Sequence, residues 1–96
     1  MSKLQAGLQY EDRLKGLSNY TPWKERIKLV LQVNRMWDFA VKKIKMSSNP
    51  KELEIWEDLD TKVRFPILDG VRDSLIPQFS EKNNAHEMWM ALQNLF

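Results

Sequence analysis

The side chains able to do chemistry are few, and their spacing is poor for it. The 96-residue chain has one histidine, His86, and no cysteine. No thiol nucleophile, disulfide or thiolate zinc site is available. No histidine–histidine or cysteine–histidine spacing could hold a metal. Gly7, Gly16 and Gly70 lie far apart and form no phosphate-cradling loop. Carboxylates crowd residues 52–60, but Glu52, Glu54, Glu57, Asp58 and Asp60 read mostly as a solvated helix face. This inventory predicts no catalytic residue, no metal, no cofactor and no small-molecule substrate, so not an enzyme.

Charge is the stronger signal. The formal net charge of +2 is too small to imply nucleic acid. Its placement is uneven. Residues 13–45 carry nine basic and two acidic groups, a net +7, whereas residues 50–73 carry four basic and seven acidic, a net −3. The simpler reading is two solvated faces that attract each other within one fold. The sharper one is complementary patches that dock one copy onto the next, a head-to-tail contact that builds rings or open arrays. Lys42, Lys43 and Lys45 form a short basic cluster and are the candidate RNA contact. Sequence alone assigns no aromatic stacking platform around them.

These groups must be positioned by helices. Residues 1–20 hold Leu4, Leu8, Tyr10, Leu14 and Leu17 without strong periodicity, punctuated by Gly16 and Ser18-Asn19. They read as an extended N-terminal arm ending in a turn. Residues 21–96 read as a helical lobe. Thr21 is the expected N-cap and Pro22 the first helical residue. Trp23, Ile27, Val30, Leu31 and Trp37 follow as one stripe. Asn34-Arg35 marks a break before a short second helix with Met36, Trp37, Phe39, Ala40 and Val41. Asn49-Pro50, with Glu52 at the capping-box position, starts a third helix on Leu53, Trp56, Leu59, Val63 and Ile67. Pro66 interrupts it at a cost of ~3 kcal/mol, which predicts a kink or an end near Phe65. A restart through Leu68, Val71 and Leu75 is expected, stopped by Pro77. Residues 78–83 read as a polar linker. Asn84, with Glu87, caps a last helix whose apolar face is Ala85, Met88, Trp89, Leu92, Leu95 and Phe96. The expected fold is all-α, a small bundle of four or five helices with antiparallel neighbours. A single domain of this size buries roughly 60–65% of its unfolded surface. No apolar run nears the ~18–20 residues of a membrane span. The apolar pattern runs to Phe96 without a C-cap, which predicts that the chain is a lobe of something longer.

The segment from Leu14 to Ile27 (LKGLSNYTPWKERI) resembles the opening of Gag polyproteins of copia-type LTR retrotransposons. There a leucine and a glycine precede an asparagine–tyrosine pair, followed by tryptophan–lysine and an amphipathic helix. Met36-Trp37 is similar to the family's leucine–tryptophan pair, and Trp56, Asp60 and Lys62 to a tryptophan followed by aspartate–x–lysine. Ile67-Leu68 through Leu75-Ile76-Pro77 resembles its isoleucine–leucine…leucine–isoleucine–proline segment, especially in plant elements. Ala85 to Leu92 resembles A-K-E-M-W-D-A-L, with His86 where lysine is common and Met90 where aspartate is common. The likeness spans about residues 14–96. It implies the N-terminal lobe of a retroviral-capsid-like region that self-associates in virus-like particles. A second helical lobe and a CCHC zinc knuckle would follow in such proteins. The implied partners are other Gag copies and the downstream lobe.

Each matched residue also has a structural reading. Tyr20, Trp23, Trp37, Trp56 and Trp89 form the core motif, with at least three of the tryptophans expected to be buried. Asp60 is expected to pair with Arg64, and His86 to face solvent. The self-association candidates are Lys24, Lys28, Arg35 and Asp38 on the first two helices, Glu54, Glu57 and Asp58 on the acidic face, and Leu95 and Phe96 toward the downstream lobe. Met36, Phe39 and Met46 lie off the main stripes. A cytoplasmic particle is the expected setting. The alternative is a domesticated Gag-derived adaptor, nuclear or cytoplasmic, that receives a peptide in a cleft lined by Tyr20, Phe39 or Phe65.

Overall fold

The computed structural model describes residues 8–96. Four α-helices follow one another: α1 Tyr20–Val33, α2 Trp37–Val41, α3 Pro50–Asp69 and α4 Ala85–Leu95. Three 3-10 segments, Tyr10–Asp12, Leu17–Asn19 and Asp73–Gln78, fill the connections. No strand occurs among the described residues, and the fold is a small all-α bundle. An isolated parallel bridge joins Leu14 to Val71.

The capping signals act where the sequence puts them for α3 and α4. Asn49 Oδ1 accepts from the Lys51 and Glu52 amides at 2.9 and 3.2 Å. Glu52 closes its box through a relay: Ser47 Oγ donates to Glu52 Oε2 at 2.7 Å and accepts from the Asn49 amide at 3.1 Å. Asn84 Oδ1 accepts from the Glu87 amide (2.9 Å), and Asn84 Nδ2 donates to Glu87 Oε2 (2.8 Å).

The start of α1 differs from expectation. Asn19, not Thr21, is the N-cap residue, and Pro22 lies inside the first turn, where amides have no helical partner. Asn19 does not cap with its side chain, which is turned back on the preceding segment. Its Oδ1 accepts from the Lys15 amide at 3.0 Å, and its Nδ2 donates to the Arg13 carbonyl at 2.8 Å.

The α1–α2 break is a helix C-terminal closure of the Schellman type. The Met36 amide returns to the Leu31 carbonyl at 2.7 Å and the Arg35 amide to Gln32 at 3.0 Å. The motif needs a left-handed residue, and Arg35 supplies it with φ +58°. Trp37 therefore belongs to α2 and not to the α1 stripe.

Pro66 does not end α3, which continues to Asp69. Its ring is buried in the core, and that packing offsets the lost hydrogen bond. No α-helix restarts beyond it. Arg72 is extended, and the segment carrying Leu75 and Pro77 is 3-10.

The core joins Trp23, Ile27 and Leu31 of α1, Phe39 and Ala40 of α2, Val63 and Ile67 of α3, and Ala85, Met88, Trp89 and Leu92 of α4. Three further members come from outside the α-helices: Leu14, Val71 and Phe79. Leu14 shows that the described part of the N-terminal segment is built into the lobe. The stretch 1–7, with Leu4, lies outside the described residues. Phe79 corrects the reading of 78–83 as a polar linker, because its ring is only 2% exposed and the segment is pinned by it.

Candidate functional site

The tightest cluster of recognisable residues is a structural node. The Gly70 carbonyl accepts from the Leu14 amide at 2.9 Å and from Trp23 Nε1 at 2.7 Å. The Arg72 amide returns to the Leu14 carbonyl at 3.0 Å. One buried carbonyl just past the α3 terminus thus ties the N-terminal segment and α1 to the end of α3. A Cβ on Gly70 would lie 2.8 Å from Ile27 Cδ1 and 3.1 Å from both Trp23 Nε1 and the Pro66 carbonyl, so glycine is needed there for space. Gly16 has φ +157°, a conformation that side-chain-bearing residues rarely adopt.

The aromatic residues form a connected row. Trp23 stacks on Trp89 at 6.0 Å, Trp37 meets Trp89 edge-on at 5.4 Å, and Tyr20 lies 5.3 Å from Phe96. Trp23 and Trp89 are buried, whereas Trp37 and Trp56 are only half-buried, so two and not three tryptophans lie fully in the core. Their rims meet charge and loop: Lys28 Nζ sits 5.5 Å from the Trp37 ring centre, and Trp56 Nε1 donates to the Ile44 carbonyl at 3.0 Å. Burial pushes the Tyr20 hydroxyl above its ordinary value near 10, opposed by a hydrogen bond with the Gln93 side chain.

The surface candidates do not converge on one patch. Lys24 lies 5.9 Å over the Tyr20 ring, Arg35 is exposed at the α1–α2 corner, and Asp38 pairs with Lys42 at 3.6 Å. On α3, Glu54 and Glu57 are exposed and Asp58 pairs with Lys62 at 2.8 Å. Leu95 is exposed, but Phe96 turns onto Tyr20 of its own lobe. Sequence reasoning missed Leu29 and Val33, four apart on the outer face of α1 and 61% and 76% exposed. Their spacing opposite the Ile27–Leu31 stripe was the available signal.

Asp60 departs from the solvated face of its neighbours. Its carboxylate is buried, accepts from the Ala85 amide at 2.7 Å, and meets Arg64 Nε at 3.0 Å. It therefore anchors the N-terminus of α4 on α3, and the expected Asp60–Arg64 pair is present. His86 corrects the solvent-facing reading. It is half-buried, and its Nδ1–H donates to the Ala40 carbonyl at 2.9 Å, which ties α4 to α2. Phe39 is likewise buried and packs on Trp56 at 5.6 Å, whereas Met46 is exposed.

Two kinds of hollow remain. One, of about 170 Å³, lies between the loop after α2, α3 and the start of α4. Phe39, Ile44, Met46 and Trp56 give it apolar walls, Lys43 and Lys45 line it with charge, and Asn84 and His86 complete it. A mixed hollow of about 490 Å³ shares Lys43, Asn84 and His86 and adds Lys82, Glu87 and Met90. The structure thus puts aromatic rings beside the lysine cluster. The other kind is an apolar groove of about 370 Å³ on α3 and the following 3-10 segment, lined by Phe65, Leu68 and Ile76 with Thr61, Arg64 and Asp69. Among the described residues no group of three or more His, Asp or Glu could hold a metal, and no helix is long and apolar enough to cross a membrane.

Fold and surface together define a small all-α domain with a stitched N-terminal corner. Residues 14–39 of that corner match the model of a family described as a domain of unknown function, DUF4219, which is found in plant retrotransposon Gag-like proteins. No curated protein and no solved structure matches the chain. The matched stretch runs from Leu14 through the Gly16 turn, the Asn19 clasp and the Trp23 hydrogen bond to Phe39. Leu14 and Trp23 belong to the node described above, Asn19 holds the turn that leads into α1, and Phe39 packs on Trp56.

Proposed function

We propose that this domain is a capsid-type lobe of a copia-like retrotransposon Gag protein, with a structural rather than catalytic role: self-association into particles. The observation that carries the reading is the family match over 14–39, on the same residues that stitch α1 to the end of α3. Two features support it. The basic stretch 13–45 and the acidic stretch 50–73 supply complementary charge. The Leu29–Val33 ridge supplies exposed apolar surface on α1. Such lobes need only weak contacts, because repetition multiplies them.

The test is mass against concentration by sedimentation and light scattering, at low and high salt. Growth of the average mass with concentration, reduced by salt and by Leu29→Lys with Val33→Lys, supports the proposal. A strict monomer whose mass ignores salt refutes it for this lobe.

A second reading is favoured by the Phe65–Leu68–Ile76 groove. Under it, the same lobe is a domesticated adaptor that holds an apolar peptide. Phe65→Ser would then abolish peptide capture while leaving self-association untouched.

A further inference from the structure

We propose that the hollow between the loop after α2, α3 and the start of α4 takes an unpaired nucleotide of single-stranded RNA. The site is independent of the self-association reading. At about 170 Å³ it is well below the ~300–1,000 Å³ of drug-sized sites, and so suits a single flat ring. Its walls are of the right kind. Trp56 is held in place by its bond to the Ile44 carbonyl and by Phe39, leaving ring surface with no polar need of its own. Met46, on the loop side, is 58% exposed, and its unbranched side chain can close over a base.

The rim supplies the anion-binding half. The loop 42–48 carries three lysines and no carboxylate. Lys42 is engaged by Asp38, but none of the ion pairs in the described structure uses Lys43, Lys45 or Lys82. Lys43 and His86 line both this hollow and its larger neighbour, which Lys82 also borders. A ring in the first hollow would therefore place an attached phosphate among Lys43, Lys82 and the imidazole edge that Ala40 leaves free. The one carboxylate there, Glu87, is held by Asn84. An apolar floor with cations at its edge is the arrangement that binds single strands, by stacking and backbone neutralisation together.

The shared chemistry is a flat base bearing a phosphate, which a strand or a free nucleotide could supply. The test uses the 96-residue chain with a labelled uridine octamer, a duplex of equal length, uridine monophosphate, and a glutamate–tyrosine peptide as competitor. The octamer is expected to bind at least about tenfold tighter than the duplex. Lys43→Glu with Lys45→Glu should lower the slope of log affinity against log salt by about 1.4. Trp56→Leu should weaken binding at least about fivefold with the slope unchanged. Where Trp56→Leu loses helical signal, the uncharged Met46→Ser at an exposed position gives the same reading without touching the core. Tighter octamer than monophosphate identifies a strand site; equal affinity identifies a free-nucleotide site with the same base–phosphate chemistry. Duplex binding equal to single strand, indifference to both Trp56→Leu and Met46→Ser, or displacement by the peptide as effective as by the octamer overturns the proposal.

Discussion

Replacing Asp60 by alanine tests how the last helix is attached. The carboxylate accepts from the Ala85 amide at 2.7 Å at the N-terminus of α4, and it is 4% exposed. A hydrogen bond to a charged group is worth about 1.5–3 kcal/mol, and the orphaned amide would be left in a dry place. Favourable interaction with the helix dipole adds to this. The ion pair with Arg64 adds less, because that side chain is 36% exposed and solvent screens it to about 1 kcal/mol or below. The expected loss is about 2–4 kcal/mol, out of a total of about 5–14 kcal/mol for a chain this long. At roughly 4–8 °C per kcal/mol the melting temperature should fall by about 8–32 °C. The assay is urea unfolding followed by circular dichroism, with unchanged m-value expected. Asp60→Asn keeps an acceptor and should cost about half as much. Arg64→Ala should cost under about 1 kcal/mol, and the double variant should resemble Asp60→Ala alone. If Arg64→Ala were as damaging as Asp60→Ala, the carboxylate would be serving the ion pair and the reasoning from the Ala85 amide would be wrong.

Three other outcomes follow from the same geometry. Gly70→Ala should destabilise by about 1–3 kcal/mol, since its Cβ meets buried Ile27 and the Pro66 carbonyl; thermal melts showing no loss would mean the node is looser than described. Arg35→Gly should stabilise by up to about 1 kcal/mol, because glycine takes the left-handed closing position without the Cβ penalty; a lowered melting temperature would contradict the closure. Tyr20 ionises above its ordinary value in the fold, so its contribution is complete below about pH 10 and declines as pH rises from there through the folded value; Tyr20→Phe should show a shallower alkaline fall in melting temperature between pH 9 and 11, and equal slopes would count against burial as the cause.

Legibility in the chain followed the range of the interaction. The caps at Asn49 and Asn84 were readable because each acts within three residues. The Asp60–Arg64 pair was readable because four residues make one helical turn. That α3 runs on past Pro66 is not legible, because the local cost of proline is visible in sequence whereas the burial that offsets it is not. The lysine cluster was visible as a run. Its aromatic wall was not, because Phe39 and Trp56 are seventeen residues apart and meet only when α2 packs on α3.

The helical class, the main break points, the apolar stripes and the separation of charge are legible in the chain, because they depend on neighbours three or four positions away and on composition. Only packing in three dimensions puts Leu14 and Phe79 in the core, leaves no room for a side chain at Gly70, and brings His86 back to Ala40. Each of those depends on which surfaces meet across tens of residues. Such meetings are set by the packing of the whole lobe, because no local rule says which buried carbonyl or cavity a distant side chain will find.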